Sequence, residues 1–83
     1  MTEKKLQMNT SIETNQVAML VQKANAYSSE IHISTEGKVA NVKSIMGVIS
    51  LGMLDNFEIT VSANGADEKE AVDFVYNFLL SLS

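Results

Sequence analysis

Phe57, Ile59, Val61 and Ala63 alternate without a break with Glu58, Thr60 and Ser62. A period of two puts successive side chains on opposite faces of a strand, so this stretch has one dry face and one wet face. Glu30-Ile31-His32-Ile33-Ser34 repeats the pattern. After the short glycine-containing turn Thr35-Glu36-Gly37-Lys38, Val39 to Val42 continues as a return strand, so residues 30–42 read as a β-hairpin. Leu6 and Met8, set between Lys5, Gln7 and Asn9, give a weaker signal for a first strand. Strands that are apolar on one side only belong to a mostly antiparallel sheet with one covered face.

The cover comes from segments of helical period. Val17, Leu20, Val21 and Ala24 fall at i, i+3, i+4 and i+7, which predicts a helix over Thr14 to Ala26 capped by Thr14 or Asn15. Ala71, Val72, Phe74, Val75, Phe78, Leu79 and Leu82 trace a second stripe, and Asp67 and Glu70 stand at capping-box spacing before it. Between these lies Lys43-Ser44-Ile45-Met46-Gly47-Val48-Ile49-Ser50-Leu51-Gly52, a short helix with Ser44 as its N-cap and a glycine at its end. The predicted order is β-α-β-β-α-β-α, an α+β open-faced β-sandwich in which three helices cover one face of four strands. Its expected core is Leu6, Met8, Val17, Leu20, Val21, Ala24, Ile31, Ile33, Val42, Val48, Leu51, Phe57, Ile59, Val61, Ala71, Phe74, Val75 and Phe78. The 83 residues are enough for one core and not two, so a single domain over 1–83 is expected.

The central helix carries too much apolar surface for its role. Ile45, Met46, Val48, Ile49, Leu51 and Met53 spread over roughly 220° of its circumference, and a helix lying on a sheet buries a narrower stripe. Exposed Met and Ile beside a serine at a helix start read as a docking surface with a switch in it. Elsewhere the composition excludes more than it offers. A net charge of −4 argues against nucleic acid or anionic membrane as partners, and without cysteine there is no disulfide or thiolate metal site. No metal cluster, catalytic triad or phosphate loop appears in the sequence, so neither an enzyme nor a cofactor is expected, and the expected location is the cytoplasm. The lone His32, on the polar side of its strand with no basic or glycine-rich cradle nearby, reads as an ordinary strand residue.

The run Asn41 to Gly52, followed by Ala63-Asn64-Gly65-Ala66-Asp67-Glu68, closely resembles the HPr family, the small histidine phosphocarriers of the bacterial sugar phosphotransferase system. The resemblance extends over essentially the whole chain and implies the same open-faced sandwich. It breaks at the other family signature, Gly-Ile/Leu-His-Ala-Arg-Pro-Ala, which here reads Ser11-Ile12-Glu13-Thr14-Asn15-Gln16-Val17. Glu13 stands in the place of the phosphohistidine, Asn15 in that of the arginine and Gln16 in that of the proline. A carboxylate repels an incoming phosphoryl group, and a neutral amide cannot supply the missing positive charge. Glu13 could imitate a permanent phosphoryl charge, but the simpler reading is a drifted site kept polar.

The resemblance further implies that Ser44 is a regulatory phosphorylation site, modified by a kinase/phosphorylase, and that the modified form binds a transcriptional regulator. It also implies that Val48 and Leu51 face the core while Lys43, Ile45, Met46 and Ile49 meet a partner. The expected function is therefore a non-enzymatic, HPr-like regulatory or binding protein without carrier activity, similar in its lost histidine to the catabolite-repression paralogue. Two alternatives stay open: a carrier with a non-standard acceptor, Glu13 or His32, and a domain serving assembly alone. The sequence leaves the oligomeric state undetermined.

Overall fold

A computed structural model describes residues 1–7, 12–35, 37–50 and 58–82. The elements follow as β1 (Thr2–Gln7), α1 (Thr14–Ala24), β2 (Glu30–Thr35), β3 (Lys38–Asn41), α2 (Ile45–Ile49), β4 (Glu58–Asn64) and α3 (Glu68–Leu82). This is the predicted order. The strands form one sheet in the order β1-β4-β2-β3, and every neighbouring pair is antiparallel. β4 therefore lies inside the sheet, paired with β1 on one side and β2 on the other.

The period of two decides which way each strand faces. Register pairs Leu6 with Ile59, Ile31 with Ala63 and Ile33 with both Val61 and Ala40, and all of these side chains are buried under the helices. The opposite face carries Lys5, Thr60, Ser34 and Val39 in one cross-strand row and Glu3, Ser62, His32 and Asn41 in the next. A one-residue slip would exchange these two sets, so burial on one side fixes the register. Val39 is the exception to polarity on the open face, at 67% exposure on the edge strand β3.

From the helices come Val17, Leu20, Val21 and Ala24 of α1, Val48 of α2, and Ala71, Val72, Val75 and Leu79 of α3, all buried. Four details differ from expectation. Ile12, an isolated apolar residue in a polar stretch, is fully buried and anchors the entry to α1. Phe74 and Phe78 are half-buried rather than central: Phe74 stacks on Tyr27 at 5.6 Å, and Phe78 tilts against Phe74 at 5.9 Å. Helix α1 closes at Ala24, where Asn25 takes the C-cap position and its side-chain amide donates to the Val21 carbonyl at 2.8 Å. The return strand β3 starts at Lys38 and ends at Asn41, leaving Val42 buried just beyond it. The expected core positions Met8, Leu51 and Phe57 lie outside the described residues. Among those described, no helix is long and apolar enough to cross a membrane.

The corner where β4 turns into α3 holds four elements together. The Asp67 carbonyl accepts the Ala71 N–H at 2.9 Å, as an N-cap carbonyl should, but its carboxylate does not complete the capping box predicted with Glu70. It reaches across to the turn before β2 and accepts the Ser28 and Ser29 N–H groups at 2.9 Å each, and the Ser29 hydroxyl as well. Glu68 accepts from the Thr2 hydroxyl at 2.6 Å and from the Gly65 N–H at 3.3 Å, and pairs with the chain's amino terminus at 3.1 Å. Gly65, at φ +153°, lies so close to the Ser29 backbone that an added Cβ would stand 2.7 Å from the Ser29 Cα and 2.6 Å from its Oγ.

Two expectations follow from this corner. Gly65→Ala should lower the unfolding free energy by about 1–3 kcal/mol, the usual cost of forcing atoms into a filled site, with a matching fall in the urea midpoint. A midpoint unchanged from wild type would mean that the contact is not tight. The acid limb is set by the two carboxylates. The Ser29 hydroxyl and the Ser28 N–H hold Asp67 at about 2 instead of 3.8, and the Thr2 hydroxyl and amino terminus hold Glu68 at about 2 instead of 4.5. Both pKa values are depressed by folding, so their contribution is fully present above the unfolded values and is lost as pH falls through the folded ones. Urea midpoints measured against pH should be level above pH 4.5 and fall from there toward pH 2, and Asp67→Asn should flatten that fall.

Candidate functional site

Two helix starts correspond to the two centres that the sequence brings forward. At the first, Ile12 is buried and Glu13 is the N-cap of α1, with φ −78° and ψ 157°. Neither Thr14 nor Asn15 takes the capping position predicted for it; both are exposed in the first turn. The Gln16 and Val17 N–H groups donate to the Glu13 carbonyl at 3.0 Å, and the Gln16 Oε1 accepts the Glu13 N–H at 2.9 Å. Ile12 and Val17, both in the core, occupy the positions whose side chains form a hydrophobic staple around such a cap. The segment is thus an ordinary helix start closed by a capping box between Glu13 and Gln16, and the first turn of α1 contributes no cation.

At the second, Asn41 shapes the approach. Its side-chain carbonyl accepts the Lys43 N–H at 2.8 Å, and its backbone carbonyl accepts the Ser44 N–H at 3.0 Å. Ser44 then caps α2: with φ −119° and ψ 118°, its Oγ accepts the Gly47 N–H at 3.1 Å. The serine is half-buried rather than fully exposed. Gly47 has no side chain to crowd the hydroxyl, and a Cβ there would lie 3.4 Å from it.

The flanking residues divide. Met46 is 75% exposed and Ile45 42%, as expected for an outward surface, and Val48 is buried as expected. Ile49 departs from its expected outward role, because it is half-buried and packs against the core cluster. Lys43 is also less available than expected: its Nζ donates to the Tyr27 carbonyl at 2.6 Å, tying the approach to α2 to the turn after α1. Met19, at 47% exposure on the helix that packs against α2, was not singled out by sequence reasoning. Its signal was available, since it falls out of phase with the Val17–Leu20–Val21 stripe. Leu51 and Met53 lie outside the described residues. His32 is half-buried between Ser62 and Asn41 on the open face, on the opposite side of the sheet from both helix starts.

Comparison with known proteins agrees with this geometry. The family model described as the PTS HPr component phosphorylation site matches residues 3–80. HPr-C-His from Thermoanaerobacter tengcongensis is 34% identical, with 98% of this chain and 93% of that chain covered at a TM-score of 0.88. The phosphocarrier protein HPr of Bacillus anthracis is 31% identical, with 94% and 95% covered at a TM-score of 0.86. Crh, the catabolite-repression protein of Bacillus subtilis, described as a domain-swapped intertwined dimer, is 31% identical, with 98% and 93% covered at a TM-score of 0.78. With the open-faced sandwich, the helix order and a match over nearly its full length, this chain belongs to the HPr family of the phosphotransferase system.

Proposed function

We propose that this HPr-like protein is a regulatory or binding protein of the phosphotransferase system that does not carry a phosphoryl group on its first helix. It acts instead through phosphorylation of Ser44 and the apolar surface of Ile45 and Met46 beside it. The observation that carries this reading is the contrast between the two helix starts. Glu13 caps α1 in the place of the family's histidine and is followed by neutral Asn15 and Gln16, whereas Ser44 keeps its place and its bond to the Gly47 N–H.

Phosphoryl transfer through a histidine needs a neutral imidazole nitrogen as nucleophile and a nearby cation for the added charge. Glu13 is an anion, and Asn15 is neutral. At Ser44 the chemistry is different and simpler. A kinase transfers the γ-phosphoryl group of ATP to Oγ, the hydroxyl proton leaves, and ADP departs. The product carries a charge of about −1.5 to −2 next to Met46 and Ile45, which changes what can dock there without unfolding the helix. The fitting partners are a kinase/phosphorylase of the HPr type and a transcriptional regulator that reads phosphoserine. The similarity to Crh, a catabolite-repression protein, supports that direction. Ile49 and Lys43 belong to this surface as its edge, one packed on the core and the other bonded to Tyr27.

Two measurements test the reading. Incubation with a cognate HPr kinase/phosphorylase and ATP should add one phosphate, read as intact mass. Ser44→Ala should abolish the gain while costing only about 0.5–2 kcal/mol of stability as a lost cap. An unmodified wild-type protein under conditions that phosphorylate an authentic substrate would leave assembly as the better account. Incubation with phosphoenolpyruvate and the first enzyme of the system should leave the protein unlabelled, and acid-labile or acyl phosphate on Glu13 or His32 would restore the carrier reading.

A further inference from the structure

We propose that Asn64 is a deamidation site and that its conversion to a carboxylate loosens the corner that joins β2, β4 and α3. The sequence provides the chemistry, since Asn64 is the one asparagine of this chain followed by glycine. The structure provides access. Asn64 is the last residue of β4, and both it and Gly65 are exposed. Gly65 has no Cβ to shield its amide nitrogen, and among the described residues that N–H donates through a long 3.3 Å bond to Glu68.

The reaction balances without any cofactor. Hydroxide removes the Gly65 amide proton, and the nitrogen attacks the Asn64 side-chain carbonyl carbon. The new C–N bond forms as the C–Nδ2 bond breaks, and ammonia leaves. Water then opens the resulting succinimide at either carbonyl, giving aspartate with the original backbone or isoaspartate with one extra backbone methylene. The other described asparagines are less suited. Asn15, Asn25, Asn41 and Asn77 are followed by Gln, Ala, Val and Phe. Moreover, the side chains of Asn25 and Asn41 are already held, by the Val21 carbonyl and the Lys43 N–H.

The consequence follows from what surrounds Asn64. Its register partner across the sheet is Glu30, so a carboxylate there places like charges directly opposite each other. The same charge also approaches Asp67 and Glu68, three and four residues on, whose carboxylates bind the Ser28–Ser29 turn and β1. Isoaspartate adds a second disturbance, because its longer backbone displaces Gly65 from the close contact with Ser29.

The test ages the folded full chain at mildly alkaline pH and physiological temperature, with peptide mapping by mass spectrometry and isoaspartate labelling by a methyltransferase. The wild type should gain about one dalton at Asn64, with both aspartate and isoaspartate present, and Asn64→Gln should not. Absence of a gain, a gain at another asparagine first, or a gain only after unfolding in urea would overturn the assignment. Asn64→Asp should lower the urea midpoint at neutral pH, and Glu30→Gln should restore part of that loss. An unchanged midpoint for Asn64→Asp would overturn the proposed consequence. Neither readout depends on the state of Ser44.

Discussion

The pairing of β4 with both β1 and β2 is the constraint on which the remaining geometry rests. Because β4 is antiparallel to each neighbour and buries Ile59, Val61 and Ala63 on one side, it fixes the inward sides of β1 and β2 through the register. The helices must then all lie on that side, since only there can α1, α2 and α3 bury their own stripes. Both helix starts with functional interest consequently lie on the covered side, and His32 lies on the other. The separation of the histidine from those helix starts is thus a result of strand alternation rather than of any feature at the starts themselves.

Closing such a sheet requires its corners to be held, and here this is done by carboxylates bonded to backbone and hydroxyl donors and to the charged amino terminus. Asp67 accepts from two backbone N–H groups and a hydroxyl, and Glu68 from a hydroxyl, an amide and the amino terminus. Hydrogen bonds to charged groups are stronger than neutral ones and orient both partners. The arrangement suits a small domain with little core to spare, because four segments are joined at one place with hardly any apolar area used. It also concentrates negative charge at that end of the molecule, which is why a further carboxylate there matters.

The strands and the stripes were legible because their periods are long and clean. Ile31, Ile33, Ile59 and Val61 alternate so strictly that no other assignment is consistent with them. The surplus of apolar residues around Ser44 was legible for the same reason, and Met46 proves exposed as that surplus requires. What stayed hidden depends on contacts distant along the chain or on backbone geometry. Ile12 stands alone among polar residues, so no pattern marks its burial. Glu13 is a poor N-cap by residue preference, and its role here comes from its backbone carbonyl and the capping box it forms with Gln16. Asp67 has local capping spacing, but its carboxylate finds donors 38 and 39 residues away. Lys43 reads as a free cation until the Tyr27 carbonyl is brought beside it.

The start of α1 also ties two positions to one another. Gln16 accepts the Glu13 N–H through its side chain and donates its own N–H to the Glu13 carbonyl, so the two residues brace one another. A proline in the place of Gln16, as the phosphocarriers have, would remove both bonds at once. A histidine at position 13 would still stand beside the neutral Asn15. A substitution at position 16 would therefore act on position 13 as well, so the two sites at the start of α1 are coupled through their shared hydrogen bonds.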